Sequence, residues 1–301
     1  MATIALKIDV DTYRGTREGV PRLAAALERA GARATFLFSL GPDHTGRAIK
    51  RVFRRGFLGK VRRTSVTQHY GVKTLLYGVL LPGPHIGRRC GEVMRQIAHR
   101  GLEVGVHTYD HIKWQDGVSR ASESWARQQL VLARDEFIRV FDRAPEVHGA
   151  AGWQLNRSVP ALERELGFRY ASDTRGMSPF VPVVDGSEVP VPQLPTTLPT
   201  LDELIGREDL AGVDPVEHLL ALTGDGKDQV FTLHAELEGG AYLAGFERLL
   251  AAWRARGFNL TDLRSYAAAL DFSRLPRCAI VSGAVEGRSG TLAVQGQGSA
   301  H

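Results

Sequence analysis

Cysteine is scarce: Cys90 and Cys278 are the two thiols in 301 residues, and no CxxC spacing joins them to anything. Neither a disulfide framework nor a thiolate zinc site is indicated. Long apolar runs are missing as well. No window reaches the ~18 to 20 consecutive apolar residues that a membrane-spanning helix needs, and Leu75 to Pro82 comes nearest. No charged segment followed by an apolar one precedes Asp9, because the first apolar run already contains Lys7 and ends in acids. A cytoplasmic location follows as an expectation. Acid is absent from one long stretch: between His44 and Gly91 there is no Asp or Glu, while Lys50, Arg51, Arg54, Arg55, Lys60, Arg62 and Arg63 are all basic. The formal net charge of +5 is therefore unevenly spread.

What is present is the composition of an ordinary globular protein, 43% hydrophobic and 24% charged, long enough for one barrel-sized domain. Apolar runs at Ala2 to Val10, Ala34 to Leu40, Leu102 to Val106, Glu146 to Gly149, Phe168 to Ser172, Gln229 to Leu233 and Phe258 to Leu260 read as strands. Helical spacing fills most of the gaps, including Glu18 to Ala30, with Pro21 in its first turn and Gly31 as its stop. Seven or eight strand-helix steps of this kind argue for βαβ units and a parallel sheet, most simply closed as a barrel. The domain spans residues 1–275, with a basic insertion at 43–87. Residues 276–301, rich in Gly, Ser, Ala and Gln, are expected to be disordered. The proline-rich stretch from Pro179 to Pro199 reads as an irregular excursion over the surface.

The chemistry gathers at strand ends. His107 and His111, four apart at the mouth of a short apolar run, can close on one divalent cation. A third ligand must come from elsewhere, and Asp9-Val10-Asp11 after the first strand offers two carboxylates. Asp173 and His234 also stand at or just past strand C-termini, where α/β folds collect their catalytic loops. An Asp-x-Asp pair alone more often caps a turn, and a lone histidine at a strand end is more often core. The coincidence of six such residues on one rim is what points to a site.

The order Asp-x-Asp, His-Thr-x-x-His, Gly-Trp, Asp after a strand, then Leu-His resembles the polysaccharide deacetylases with a NodB-like domain. The similarity runs from about Ile4 to Leu270 and includes Lys7 to Thr12, Arg14 to Leu23, Ala150 to Trp153, Leu198 to Thr200, Ile205 to Arg207 and His234 to Glu236. It implies a distorted (β/α) barrel of about seven strands. It also implies Asp11, His107 and His111 as ligands of one divalent metal ion (zinc, or cobalt, manganese or nickel), with Asp9 as general base and His234 as general acid. Asp173 is expected to hold the second ring nitrogen of His234. Trp153, Arg175 and Glu236 are candidates for substrate contact. The Arg that accompanies the base in this family has no counterpart between Pro145 and Trp153, which leaves Arg175 or His148 to stand in for it.

The implied reaction is hydrolysis of the formamide of a 4-formamido-arabinose carried on undecaprenyl phosphate, giving formate and an amino sugar lipid for lipid A modification and polymyxin resistance. Removal of acetyl from another amino sugar and non-catalytic binding of a sugar lipid are the alternatives. An anionic membrane surface is the expected partner: Lys50, Arg51, Arg54, Arg55 and Phe57 mix basic and apolar residues as interfacial segments do, which places the protein on the inner face of the inner membrane. No nucleic-acid motif accompanies the charge, and no protein partner is inferred.

Overall fold

The computed structural model describes residues 1–48, 74–224 and 226–298. A parallel sheet carries the chain, in the order β5-β4-β3-β2-β1-β8, with β9 pairing β1 as well. Strand β1 (Thr3–Val10), which pairs with β2, β8 and β9, is almost wholly buried, as expected of a strand covered on both faces. The register aligns β1 with β2 (Thr35–Ser39) through Asp9↔Leu37, and with β8 (Gln229–His234) through Asp9↔His234. β3 (Glu103–Thr108) follows β2, then β4 (Val147–His148) and β5 (Tyr170–Ala171). The short β9 (Asn259–Thr261) lies against Thr3 to Ala5. The sheet is curled rather than closed.

Alternation along β1 sorts its side chains between two layers. Ile4, Leu6 and Ile8 join the main core with α1 (Val20–Ala30), α2 (Ile86–His99) and later helices. Ala5 faces the inside of the curl, where Leu37, Val147, Tyr170 and Leu194 make a smaller core. Local chemistry explains the ends of α1: Pro21 opens its first turn, and Gly31 closes it at φ 58°, a conformation that costs glycine nothing. A single π-turn, Gly15–Gly19, precedes it.

Two expectations are overturned. Residues 277–298 are not disordered: β10 (Arg277–Gly283) and β11 (Leu292–Gly298) form an antiparallel hairpin, and β10 also pairs in parallel with β6 (Val181–Val184). Composition favours disorder when a segment cannot bury enough apolar surface, but this one buries Cys278, Leu292 and Ala293 against distant chain. The second concerns the proline-rich stretch, which reaches the surface at the turn around Asp185 to Glu188 and at Pro190 but is largely buried elsewhere. Phe180, Val191, Gln193, Leu194 and Thr196 are buried, and its free backbone groups pair with β5 and with each other. The basic and aromatic positions Lys50, Arg51, Arg54, Arg55 and Phe57 lie outside the described residues.

Candidate metal and catalytic site

Five side chains meet at the C-terminal rim of the sheet. Asp9 is the next-to-last residue of β1 and His234 the last of β8, so parallel pairing sets them side by side. His107 lies inside β3, not one residue past it, two strands away from Asp9. His111 is the first residue of α3 (His111–Gly117), whose start is fixed by Asp110, the N-cap that accepts from the Lys113 amide. Asp110 in turn faces His44 Nδ1 at 2.7 Å.

Asp11 Oδ1 lies 3.3 Å from His107 Nε2 and 3.4 Å from His111 Nε2. That oxygen is buried and has no hydrogen-bond partner. Three ligand atoms that converge without bonding one another suit a shared cation. The tautomer agrees. His107 Nδ1 lies 2.6 Å from the Gly149 carbonyl, so it carries the proton and leaves the Nε2 lone pair facing Asp11. Burial would raise the pKa of Asp11, yet His111 and His107 outweigh it and hold the carboxyl well below its usual range. These three residues can hold a divalent metal ion and leave an open position, as catalytic sites do.

Asp9 keeps one oxygen free. Oδ1 is buried without a hydrogen-bond partner, 3.8 Å from His107 Nδ1. His234, 15% exposed at its side chain, carries its Nδ1 3.4 Å from Asp202 Oδ1. Burial by itself lowers the His234 pKa; Asp202, followed by Asp11, Asp9 and Glu238, overcomes that and raises it to about 9.

The role expected of Asp173 falls to Asp202. Asp173 is fully buried on another network: Oδ1 accepts from the Ala150 amide at 2.7 Å and lies 3.1 Å from His148 Nδ1, and Oδ2 accepts from Gln193. His148 Nδ1 also lies 2.6 Å from Glu163 Oε1. Although His148, Glu163 and Asp173 are close enough to share an ion, the His148 nitrogen is already hydrogen-bonded to Glu163 and paired with Asp173. The burial that would discharge His148 is outweighed by Asp173 and Glu163, so its pKa rises to about 10. The cluster clamps the Ala150 peptide, whose neighbour Gly149 supplies the carbonyl that orients His107.

Glu236 turns toward the backbone of the Asp-x-Asp loop. Its Oε1 accepts from the amides of Asp11 (3.1 Å) and Thr12 (2.8 Å) and from the Thr12 hydroxyl (2.7 Å). Gly15 makes room for it, since a Cβ there would sit 1.9 Å from that oxygen. Burial, with Asp11 next, pushes the Glu236 carboxyl up to about 8. Glu236→Ala strands those donors, so a loss of about 1 to 3 kcal/mol in stability is expected, with weaker metal binding. Thermal melts with and without metal check it.

Trp153 is 1% exposed, its indole N–H donating to Thr196. Arg175 stacks on it at 5.1 Å and Arg288 at 4.6 Å. Arg175 is bound to Glu203 and to the Leu198 carbonyl, and His148 to its two acids, so neither accompanies Asp9. Sequence reasoning missed Asp202 and Arg288. Arg288 comes from the hairpin thought to be disordered, and its Nη2 lies 3.1 Å from Asp202 Oδ2. The one signal for Asp202 was its place at the start of a helix, α4 (Leu201–Leu204), capped by Thr200.

A family model described as polysaccharide deacetylase matches residues 2–171. A Shewanella sediminis protein named "Probable 4-deoxy-4-formamido-L-arabinose-phosphoundecaprenol deformylase ArnD" is 33% identical over 97% of this chain and 94% of its own length. A Wigglesworthia glossinidia brevipalpis protein with the same name is 29% identical over 93% of this chain and 98% of its own. Among solved structures, one from Mycobacterium smegmatis described as a polysaccharide deacetylase has a TM-score of 0.63, at 18% identity, over 94% of this chain and 95% of that one. At that identity it shows the fold alone.

Proposed function

Because the chain belongs to the polysaccharide deacetylase family, we propose that it is an amidohydrolase that removes formyl from 4-deoxy-4-formamido-L-arabinose carried on undecaprenyl phosphate. One observation carries the reading: Asp9 and His234, which we read as proton acceptor and proton donor, pair side by side on the rim where Asp11, His107 and His111 converge. The name of the Shewanella sediminis relative, matched over 94% of its length, supports this choice of substrate.

A divalent ion held by Asp11, His107 and His111 would act as a Lewis acid and lower the pKa of water from about 16 toward about 7. Asp9 Oδ1, which has no hydrogen-bond partner, takes a proton from the water as the water oxygen bonds to the formyl carbon. The C–N bond then breaks, and the amine nitrogen is a poor leaving group. His234, kept protonated by Asp202, delivers the proton it needs. Water and formamide become formate and the free amine of the sugar lipid, the product destined for lipid A modification and polymyxin resistance. Trp153 and Arg175 pack behind the rim as support, and Glu236 fixes the loop that bears Asp11.

The substrate's polyprenyl tail calls for contact with the cytoplasmic face of an anionic membrane. No helix among the described residues is long and apolar enough to cross a membrane. In the described part of the acid-free stretch, Val79, Leu80 and Leu81 are exposed, Leu80 by 76%, and such an apolar tip, with Arg47 donating to the neighbouring Gly78 carbonyl, suits an interface.

The experiment compares N-formyl and N-acetyl versions of the same lipid-linked sugar. Formate release at a kcat/KM at least tenfold above that for acetate is expected. Preference for the acetyl compound would make the protein a deacetylase, and binding of the lipid without turnover would make it a carrier.

A further inference from the structure

We propose that Lys7 is the positioning residue for Asp9, a role that rests on reading Asp9 as the base. Lys7 is completely buried in the middle of an apolar strand. Lysine is almost never buried so deeply without a partner, and the side chain sits two residues before Asp9, on the same face of β1. Its Nζ donates to the Ser172 carbonyl at 2.8 Å and lies 3.4 Å from Asp9 Oδ2. The Trp153 ring covers it at 5.4 Å. Space for it is specific as well: a Cβ on Gly149 would stand 3.1 Å from Lys7 Cε and 3.4 Å from Nζ.

The consequence is an asymmetric carboxylate. Oδ2 of Asp9 is drawn down toward the inside of the curl by Lys7, which is itself pinned by Ser172. Oδ1 is left without a hydrogen bond on the side of His107. A carboxylate free to rotate would offer either oxygen to solvent or to the metal ligands. With Lys7 in place, one oxygen is committed and the other is presented to the water. Ser172 lies beside Asp173, and Gly149 beside Ala150, so the clamp that orients His107 and the lysine that orients Asp9 share the same two loops. The arrangement couples base and metal ligand through one rigid floor.

Lys7→Met keeps the length of the side chain and removes its donor. Its kcat is expected to fall about 10²-fold, the scale of a catalytic group displaced by about 1 Å, with KM and metal content within twofold of wild type. A crystal structure should show the Asp9 carboxylate rotated while Asp11, His107 and His111 stay in place. An unmoved Asp9, an unchanged kcat, or a parallel loss of metal would overturn the assignment. If Lys7→Met does not fold, Lys7→Arg decides, and a folded Lys7→Arg as inactive as Asp9→Asn would overturn it too. Asp9→Asn separates the two levels: full turnover in that variant removes Asp9 as base, whereas the crystal structure tests the clamp independently of any substrate.

Discussion

His234→Gln is expected to lose between about 10² and 10⁴ in kcat, the usual contribution of a positioned acid, with KM little changed. The glutamine can hydrogen-bond but cannot hand over a proton. The pH profile sharpens the test. A general acid works only while protonated, and the pKa of His234 is raised from 6.5 to about 9, so activity persists through neutrality and falls as pH rises through the raised value. A cation on Asp11 opposes the pull of Asp11 and Asp9, which leaves the alkaline limb between about 6.5 and about 9 and makes Asp202 the decisive partner. Asp202→Asn should move that limb to lower pH. The shift is softened by water, since the Asp202 side chain is 40% exposed. An alkaline limb that stays put in Asp202→Asn would detach Asp202 from the acid. Stability follows the same sign: a raised histidine pKa contributes fully below 6.5 and loses that contribution as pH climbs through about 9.

His107→Ala should lose metal and turnover together. Of the three proposed ligands, His107 is the one whose second nitrogen is fixed by the Gly149 carbonyl, and even outer partners of this kind are worth about 10- to 100-fold in metal affinity. Removing the ligand itself is expected to exceed that range and to lower kcat by at least about 10³-fold, since Asp9 and His234 then act on water of ordinary acidity. Metal content by elemental measurement and kcat on the same sample check the pair of effects. Metal retained at one ion per chain with activity gone would take His107 out of the ligand set.

Much of this site was legible because strand ends in a parallel sheet obey simple geometry. Asp9, Asp11, His107, His111 and His234 each stand at or near the end of an apolar run, and pairing in register brings them to one rim. The partners of these residues were less legible. Asp202 reaches His234 from a four-residue helix, and Arg288 reaches Asp202 from a hairpin whose composition suggests disorder. Both contacts span dozens of residues, and neither leaves a periodic trace in the chain. Asp173 was placed correctly at a strand end but assigned to the wrong histidine: it serves His148, because β4 and β5 are adjacent whereas β8 lies at the far edge of the sheet. Lys7 was visible throughout as a lone basic residue within a buried strand. Its meaning came only from the distances to Asp9 and Ser172.

One metal-bound rim is expected to perform the hydrolysis of a formamide. The most direct measurement strips the protein of metal and titrates zinc, cobalt, manganese or nickel back while formate release from the formamido-arabinose lipid is followed. Formate release should rise in proportion to added ion and saturate at one ion per chain, with no such rise in His107→Ala. Full-rate release from stripped protein, or a saturated site that yields no formate, would contradict the account.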